Sequence, residues 1–262
     1  MTDTPRKSTA LVFPDSNVRA VPAITRGFAI LRYLSQCDEP VGVQACARAV
    51  GMIPSTCLHI LRALVAQDAV AFDASTKRYS LGLGLLAIGS TVLRRKNHLR
   101  IIQDELDAIA NSHGLTALLA RIVDSDHSLV VAISHGSQAM RFNVGIGSRY
   151  PTLIGASGRC FAAFCDVSQA ELSARFKQLN WSRRPSIAQW RKDVALTRMK
   201  GFACDVGNYI EGATVIAAPV LDHMGRLTST VAAVGLSERV RARTDEIGAL
   251  LKRSAEHARS LS

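Results

Sequence analysis

The chain has 262 residues, a length that suits two domains better than one. Hydrophobic residues make up 48%, enough for a packed core in each domain, and no apolar run approaches the ~20 residues of a membrane span. The formal net charge is +11; residues 1–100 hold 13 Lys/Arg against 6 Asp/Glu and residues 101–262 hold 19 against 15, so the excess sits in the first part and points to a polyanionic partner there.

The opening "MTDTPRKSTALVFPDSN" lacks the long apolar stretch of a signal peptide, so residues 1–20 are expected to be a disordered arm and the compartment cytoplasmic. Six cysteines (Cys37, Cys46, Cys57, Cys160, Cys165, Cys204) form no C-x-x-C pair and no zinc spacing. They read as reduced, small hydrophobes in a reducing compartment. No cofactor or metal is expected.

Residues 24–35 predict a helix with Ile24, Phe28, Leu31 and Leu34 on its apolar stripe. Residues 43–50 place Val43, Cys46, Ala47 and Val50 on one face, and Gly51 follows where a left-handed stop is wanted. Ser55 or Thr56 is expected to cap the next helix, which buries Cys57, Ile60, Leu61 and Leu64. Thr56, His59, Arg62 and Ala63 are left facing out. In "AVAFDASTKRYSLG" Val70 and Phe72 alternate, as do Tyr79 and Leu81, around a polar turn: a β-hairpin with a basic tip. Three helices and a hairpin, expected over 21–82, make a winged helix-turn-helix. In that module the second helix of the motif enters the major groove. Ser55, Thr56, His59 and Arg62 would then face bases, Lys77 and Arg78 would serve the wing, and Arg26 would touch phosphate.

A linker helix is expected over 83–98 and a second domain over 99–262. Leu99, Ile102, Leu106, Ile109 and Ala110 form a helical stripe that Gly114 ends. Strand-like runs follow at 115–123, 128–134, 140–145, 214–221 and 227–236, with turn signals at 124–127 and 222–226. Helical runs fall near 156–165, 168–179, 186–200 and 242–260. Strands and helices mix without strict alternation, so the class is α+β with a largely antiparallel sheet. "PTLIGASGR" leads into a helix whose small first residues, Gly155 to Gly158, fit two readings. They let backbone N–H groups approach an anion, or they let the helix pack closely on the sheet. An alternative function is a small-molecule enzyme in which Cys160, Cys165 or Cys204 pairs with His113, His127, His135 or His223. No spacing supports it.

The segments "ITRGFAILRYLS", "GMIPSTCLHILRAL", "YSLGLGLLAIG", "GSRYPTLIGASGRCFAAF" and "KGFACDVGNYIEGATVIAAPVLDHMGRLTSTVAAVGL" resemble the IclR family of bacterial transcription regulators, in order and over about residues 24–260. Gly51, Met52, Ser55, Thr56, Ile60, Leu61 and Leu64 fit that family's recognition-helix motif. His59 stands where arginine is usual and Pro54 where lysine is common. The resemblance implies a GAF- or profilin-like effector-binding domain, an operator of double-stranded DNA, and a homodimer or tetramer. It implies an effector pocket at Phe142, Tyr150, Ala156, Ser157, Asp205, Asn208, Val215, Ala232 and Val234. Asn208 replaces a glutamate, and the last three positions are apolar where some members carry Cys or Ser. Such a pocket suits an aromatic or medium-chain carboxylate.

Overall fold

The structure, a computed structural model, describes residues 21–94, 97–137, 142 and 144–260, and for 92–94, 97–100 and 260 the backbone alone. These residues fall into two compact units, one reaching to Asn97 and one starting at His98. The arm expected at 1–20 lies outside the described residues.

The first unit runs α1 (Pro22–Leu34), β1 (Val41–Gly42), α2 (Val43–Ala49), α3 (Pro54–Ala66), β2 (Val70–Asp73), β3 (Arg78–Leu81) and α4 (Gly84–Arg94). Its core is Ile30, Leu34, Cys46, Ala47, Cys57, Leu61, Val70 and Tyr79. The axes of α2 and α3 turn through 107°, within the range of helix-turn-helix pairs. Gly51 makes that corner with φ +65°, a conformation that costs other residues a Cβ clash. β3 lies between β1 and β2, so the hairpin is braced by a third strand from the α1–α2 connection.

Two local expectations are corrected here. The buried face of α1 is Gly27, Ile30 and Leu34, while Ile24 and Phe28 are more than half exposed. Both stripes are apolar, and period alone cannot say which one faces in. Neither Ser55 nor Thr56 caps α3: Ile53 is the cap residue, without a side-chain bond, and Pro54 opens the helix. Proline has no N–H to satisfy and a φ already suited to a first turn, so the helix starts two or three residues earlier than expected.

The second unit runs α5 (Asn97–His113), β4 (Thr116–Ile122), β5 (His127–His135), β6 (Arg149–Pro151), α6 (Gly155–Phe164), α7 (Gln169–Gln178), α8 (Ile187–Lys200), β7 (Ala203–Val206), β8 (Ala213–Leu221), β9 (Leu227–Leu236), α9 (Ser237–Val240) and α10 (Thr244–Ser260). The six strands form one antiparallel sheet in the order β6-β5-β4-β9-β8-β7. Residues alternate between its faces. Leu119, Ile216, Val231 and Ala233 pack against Ile102 and Leu106 of α5 and Ile247 and Leu251 of α10. Leu118, Ala217 and Ala232 pack against Ala156 and Cys160 of α6. Outside α6, Phe176 and Trp190 of α7 and α8 close a second layer around Phe161. The short strands β6 and β7 have no expected counterpart. Half of the strand expected at 140–145 lies outside the described residues, and Phe142, Val144 and Gly145 belong to no strand. No single helix among the described residues is long and apolar enough to cross a membrane.

Candidate DNA interface and effector site

The exposed side of α3 follows from what its other side buries. Cys57 and Leu61 are fully buried, which turns Ser55, His59 and Arg62 outward, with Thr56 half-buried beside them. Arg26 is exposed on α1. Lys77 and Arg78 are exposed at the hairpin, and Lys77 itself is left-handed at φ +55°. Arg78 donates from Nη1 to the Pro40 carbonyl at 3.0 Å, so one of its nitrogens is tied to the β1 side of the sheet. Asp73 holds the turn. Its Oδ1 accepts from Ser75 N and Oγ at 2.8 and 2.6 Å, and its Oδ2 from Thr76 Oγ1 at 2.7 Å. The Ser75 hydroxyl, then Thr76, pull the Asp73 carboxyl down to about 2.

In the second unit Ala156 and Ser157, two of the residues expected at the effector site, stand at the start of α6. Ile154 occupies the cap position without a side-chain bond, and no acid lies in the first turn. Among the described residues no capping side chain bonds the first amides of the helix. Ala156 is buried against the sheet, and Val215, Ala232 and Val234 share its sheet face, Val215 pairing with Val234 across β8 and β9. Ser157 Oγ accepts from Thr230 Oγ1 at 3.1 Å and from Tyr150 OH at 3.5 Å. Burial pushes Tyr150 up to about 12, so its phenol stays a donor. Phe142 is half-buried. A Cβ on Gly158 would stand 1.9 Å from the Leu153 carbonyl oxygen, so this position takes glycine because the turn that leads into α6 passes close over it.

Asp205 and Asn208 meet a partner that the motif spacing did not reveal. Arg159 is 1% exposed, and all five of its N–H directions are used. Nη1 donates to Asp205 Oδ2 at 2.6 Å and to the Gly155 carbonyl at 3.0 Å. Nη2 donates to Asn208 Oδ1 at 3.0 Å, and both Nη2 and Nε reach Asp193 Oδ2 at 3.2 Å. The other oxygen of Asp205 accepts from the backbone of Asn208 and Tyr209 at 3.0 and 3.1 Å. Both carboxylate oxygens are thus engaged within the chain. Two acids against one guanidinium leave one negative charge, and the positive end of α6 lies beside it. A second pair missed by sequence is Thr116 Oγ1 and His135 Nδ1, 3.2 Å apart and next to Val234 through the Thr116–Val234 register.

The cysteines lack the lowered thiol pKa that a nucleophile needs. Burial pushes Cys160 and Cys165 up to about 12 and Cys204 up to about 11, so all three stay thiols at neutral pH. Cys160 Sγ donates to the Ala217 carbonyl at 3.4 Å, as a packed hydrophobe does.

Comparison with known proteins follows the same division. Residues 23–74 match the IclR helix-turn-helix domain, and residues 90–260 match the bacterial transcriptional regulator IclR C-terminal domain. The chain is 28% identical over 223 residues to a glycerol operon regulatory protein of Streptomyces griseus, covering 85% of this chain and 87% of that one. It is 23% identical over 241 residues to the transcriptional repressor IclR of Escherichia coli K12, covering 90% and 88%. In three dimensions it resembles an IclR transcriptional regulator from Alicyclobacillus acidocaldarius, at 24% identity and TM-score 0.80 over 93% of this chain and 99% of that one. An IclR homolog from Microbacterium hydrocarbonoxydans, solved with 4-hydroxybenzoate, shares the fold at 17% identity and TM-score 0.74 over 91% and 98%. With a family helix-turn-helix in one unit and the family's effector-binding fold in the other, the chain belongs to the IclR family of bacterial transcriptional regulators: a ligand-responsive, DNA-binding protein and not an enzyme.

Proposed function

We propose that this regulator binds its operator as a homodimer through α3 and the β2–β3 hairpin, and that a small carboxylate with an apolar, preferably aromatic, body binds at the start of α6. The observation that carries the effector reading is the α6 N-terminus, whose amides meet no capping side chain, set over the apolar floor of Val215, Ala232 and Val234. An anion suits the first and a hydrocarbon the second. The relative solved with 4-hydroxybenzoate supports the same class of ligand. Ser157, with Tyr150 and Thr230 bonded to it, supplies a neutral polar contact; Phe142 and Ala156 supply apolar ones. In this reading Asp205 and Asn208 act through Arg159 to hold the helix start, not as direct acceptors. The stretch 83–98, with α4 in it, connects a DNA-binding domain at 21–82 to the effector domain at 99–262. An operator partner places the protein in the cytoplasm.

In the DNA-binding unit, Ser55, Thr56, His59 and Arg62 contact bases, and Arg26, Lys77 and Arg78 contact backbone. The homodimer is supported by large side chains left uncovered: Val21, Ile24 and Phe28 on α1, and Leu83, Leu86 and Ile88 around α4, are each more than half exposed. A surface of that kind suits a protein partner. Two copies related by a two-fold axis would present two α3 helices about one DNA turn, ~34 Å, apart.

The test combines calorimetry with operator binding. Full-length protein is titrated with 4-hydroxybenzoate, its neutral methyl ester, octanoate and pyruvate, and each compound is then assayed for its effect on binding to the DNA upstream of the protein's own gene. The apolar carboxylates are expected to bind and to change operator affinity. Equal binding of the methyl ester would remove the anion from the reading, and a preference for pyruvate would remove the apolar body.

A further inference from the structure

The C-terminal ends of α6, α8 and α10 converge on a cavity of about 280 Å³ in the effector unit, close to the lower bound of about 300 Å³ for small-ligand pockets. α6 is ten residues long, so this end lies about 15 Å from the effector site at its start. We propose that this cavity is a separate binding site for a small dianion carrying a short apolar group, such as a phosphate monoester.

The charge of the lining is the first support. Arg198, Lys252 and Arg259 face a single acid, Glu256. Helix C-termini attract cations for structural reasons, because their free carbonyls are the negative end of the dipole. At the ends of α6 and α8 some of those carbonyls are already served. Arg198 donates from Nε and Nη2 to the Ala163 carbonyl at 2.9 and 2.6 Å, which closes the last turn of α6. Gly201 N donates to the Thr197 carbonyl at 2.8 Å, which closes α8, and Lys200 pairs with Asp245 at 2.9 Å. Lys252 and Arg259 remain. Among the described residues neither has a hydrogen bond or ion pair, and Glu256, one turn from Lys252 on α10, makes no ion pair with it.

Lys252 is also held in place. It is half-buried, and its chain end lies over Gly201: a Cβ built there would be 2.9 Å from Lys252 Cε and 3.2 Å from Nζ. Its Nζ stays in contact with water and meets no acid among the described residues, so an anion can pair with it without displacing another group. The free Nη1 of Arg198 and the guanidinium of Arg259 complete a three-cation rim. The remaining wall is apolar, with Phe164, Pro219, Leu221 and the exposed Met199. Two net positive charges and an apolar wall select a dianion with a small hydrocarbon part over a bare ion.

The experiment uses phenyl phosphate as probe at pH 8, with phenol and inorganic phosphate as comparators, and full-length protein in a calorimeter. Wild type is compared with Lys252→Gln/Arg259→Gln, whose side chains lie outside the packed core, and with Ser157→Ala at the effector site. Near-UV circular dichroism confirms that each variant is folded, and hydrogen exchange reports protection along α10. Phenyl phosphate is expected to bind more tightly than phosphate or phenol, to weaken as salt rises, and to protect the end of α10. Binding should fall about tenfold or more in the double variant, as loss of two charge-assisted contacts implies, and stay unchanged in Ser157→Ala. Absence of binding to wild type would overturn the proposal, as would equal affinity in the double variant. Loss in Ser157→Ala alone would overturn it too, by placing the probe at the start of α6.

Discussion

The two units put their working residues on opposite sides of the water boundary. In the DNA-binding unit the residues proposed to contact DNA are exposed, and the core only orients them: Leu61 and Cys57 point in so that His59 and Arg62 point out. In the effector unit the residues that shape the site are buried and hold one another. Arg159 and Asp205 are each 1% exposed, and they join α6 to β7 across 46 residues of sequence. The difference teaches where each function is vulnerable. Contact residues in the first unit can be removed without unfolding it, whereas those around Arg159 carry structure and site together.

The largest effect is expected at Arg159. Replacement by methionine leaves Asp205 and part of Asp193 buried without their cation, which costs about 3–5 kcal/mol. Differential denaturation should show the effector unit melting early while the DNA-binding unit keeps its own transition. Loss of both transitions together would break the contrast. Leu61→Ala is the mirror experiment. A fully buried leucine cut to alanine costs about 2–5 kcal/mol, and here the DNA-binding unit should melt early, with effector binding retained.

Surface changes come next. Arg62→Ala is expected to weaken operator binding by about 1–3 kcal/mol and to leave both unfolding transitions in place. A gel-shift series over salt would read it, and an unchanged affinity would remove Arg62 from the interface. Ser157→Ala should weaken binding of 4-hydroxybenzoate by about 1 kcal/mol, the net worth of one neutral hydrogen bond, without changing operator affinity in the absence of ligand.

The smallest effect concerns Asp73. Its carboxyl is depressed to about 2 by bonds from Ser75 and Thr76. A depressed value means that the turn gains stability above the ordinary aspartate range and loses it as pH falls toward 2. A nuclear magnetic resonance titration should find a midpoint near 2 in wild type and closer to the ordinary aspartate value in Ser75→Ala/Thr76→Ala. An unmoved midpoint would show that the turn is held by its backbone alone.

Much of the molecule was legible in the chain because its signals are local. Helical period located α2, α3, α5, α7, α8 and α10, and turn residues at 124–127 and 222–226 located the β4–β5 and β8–β9 hairpins. Where two apolar stripes competed, as on α1, period could not choose. In the β4–β5 hairpin, counting back from the turn pairs Ile122 with Ser128, yet a bulge at Leu119/Ala120 shifts the later pairs by one. That shift brings His135 opposite Thr116, and a one-residue slip moves every side chain to the other face.

The sequence by itself determined the class of the protein: a helix-turn-helix in a positively charged first part of the chain, ahead of an antiparallel α+β domain. These rest on spacing within ten or twenty residues and on total charge. Tertiary structure alone decided which acid meets Arg159, which stripe of α1 is covered, which thiols are silenced by burial, and that Lys252 and Arg259 share a cavity with Arg198. Each of these depends on residues far apart in the chain. Their meeting is set by how sheet and helices pack, and desolvation, which gives a buried charge or thiol its character, exists only once that packing is complete.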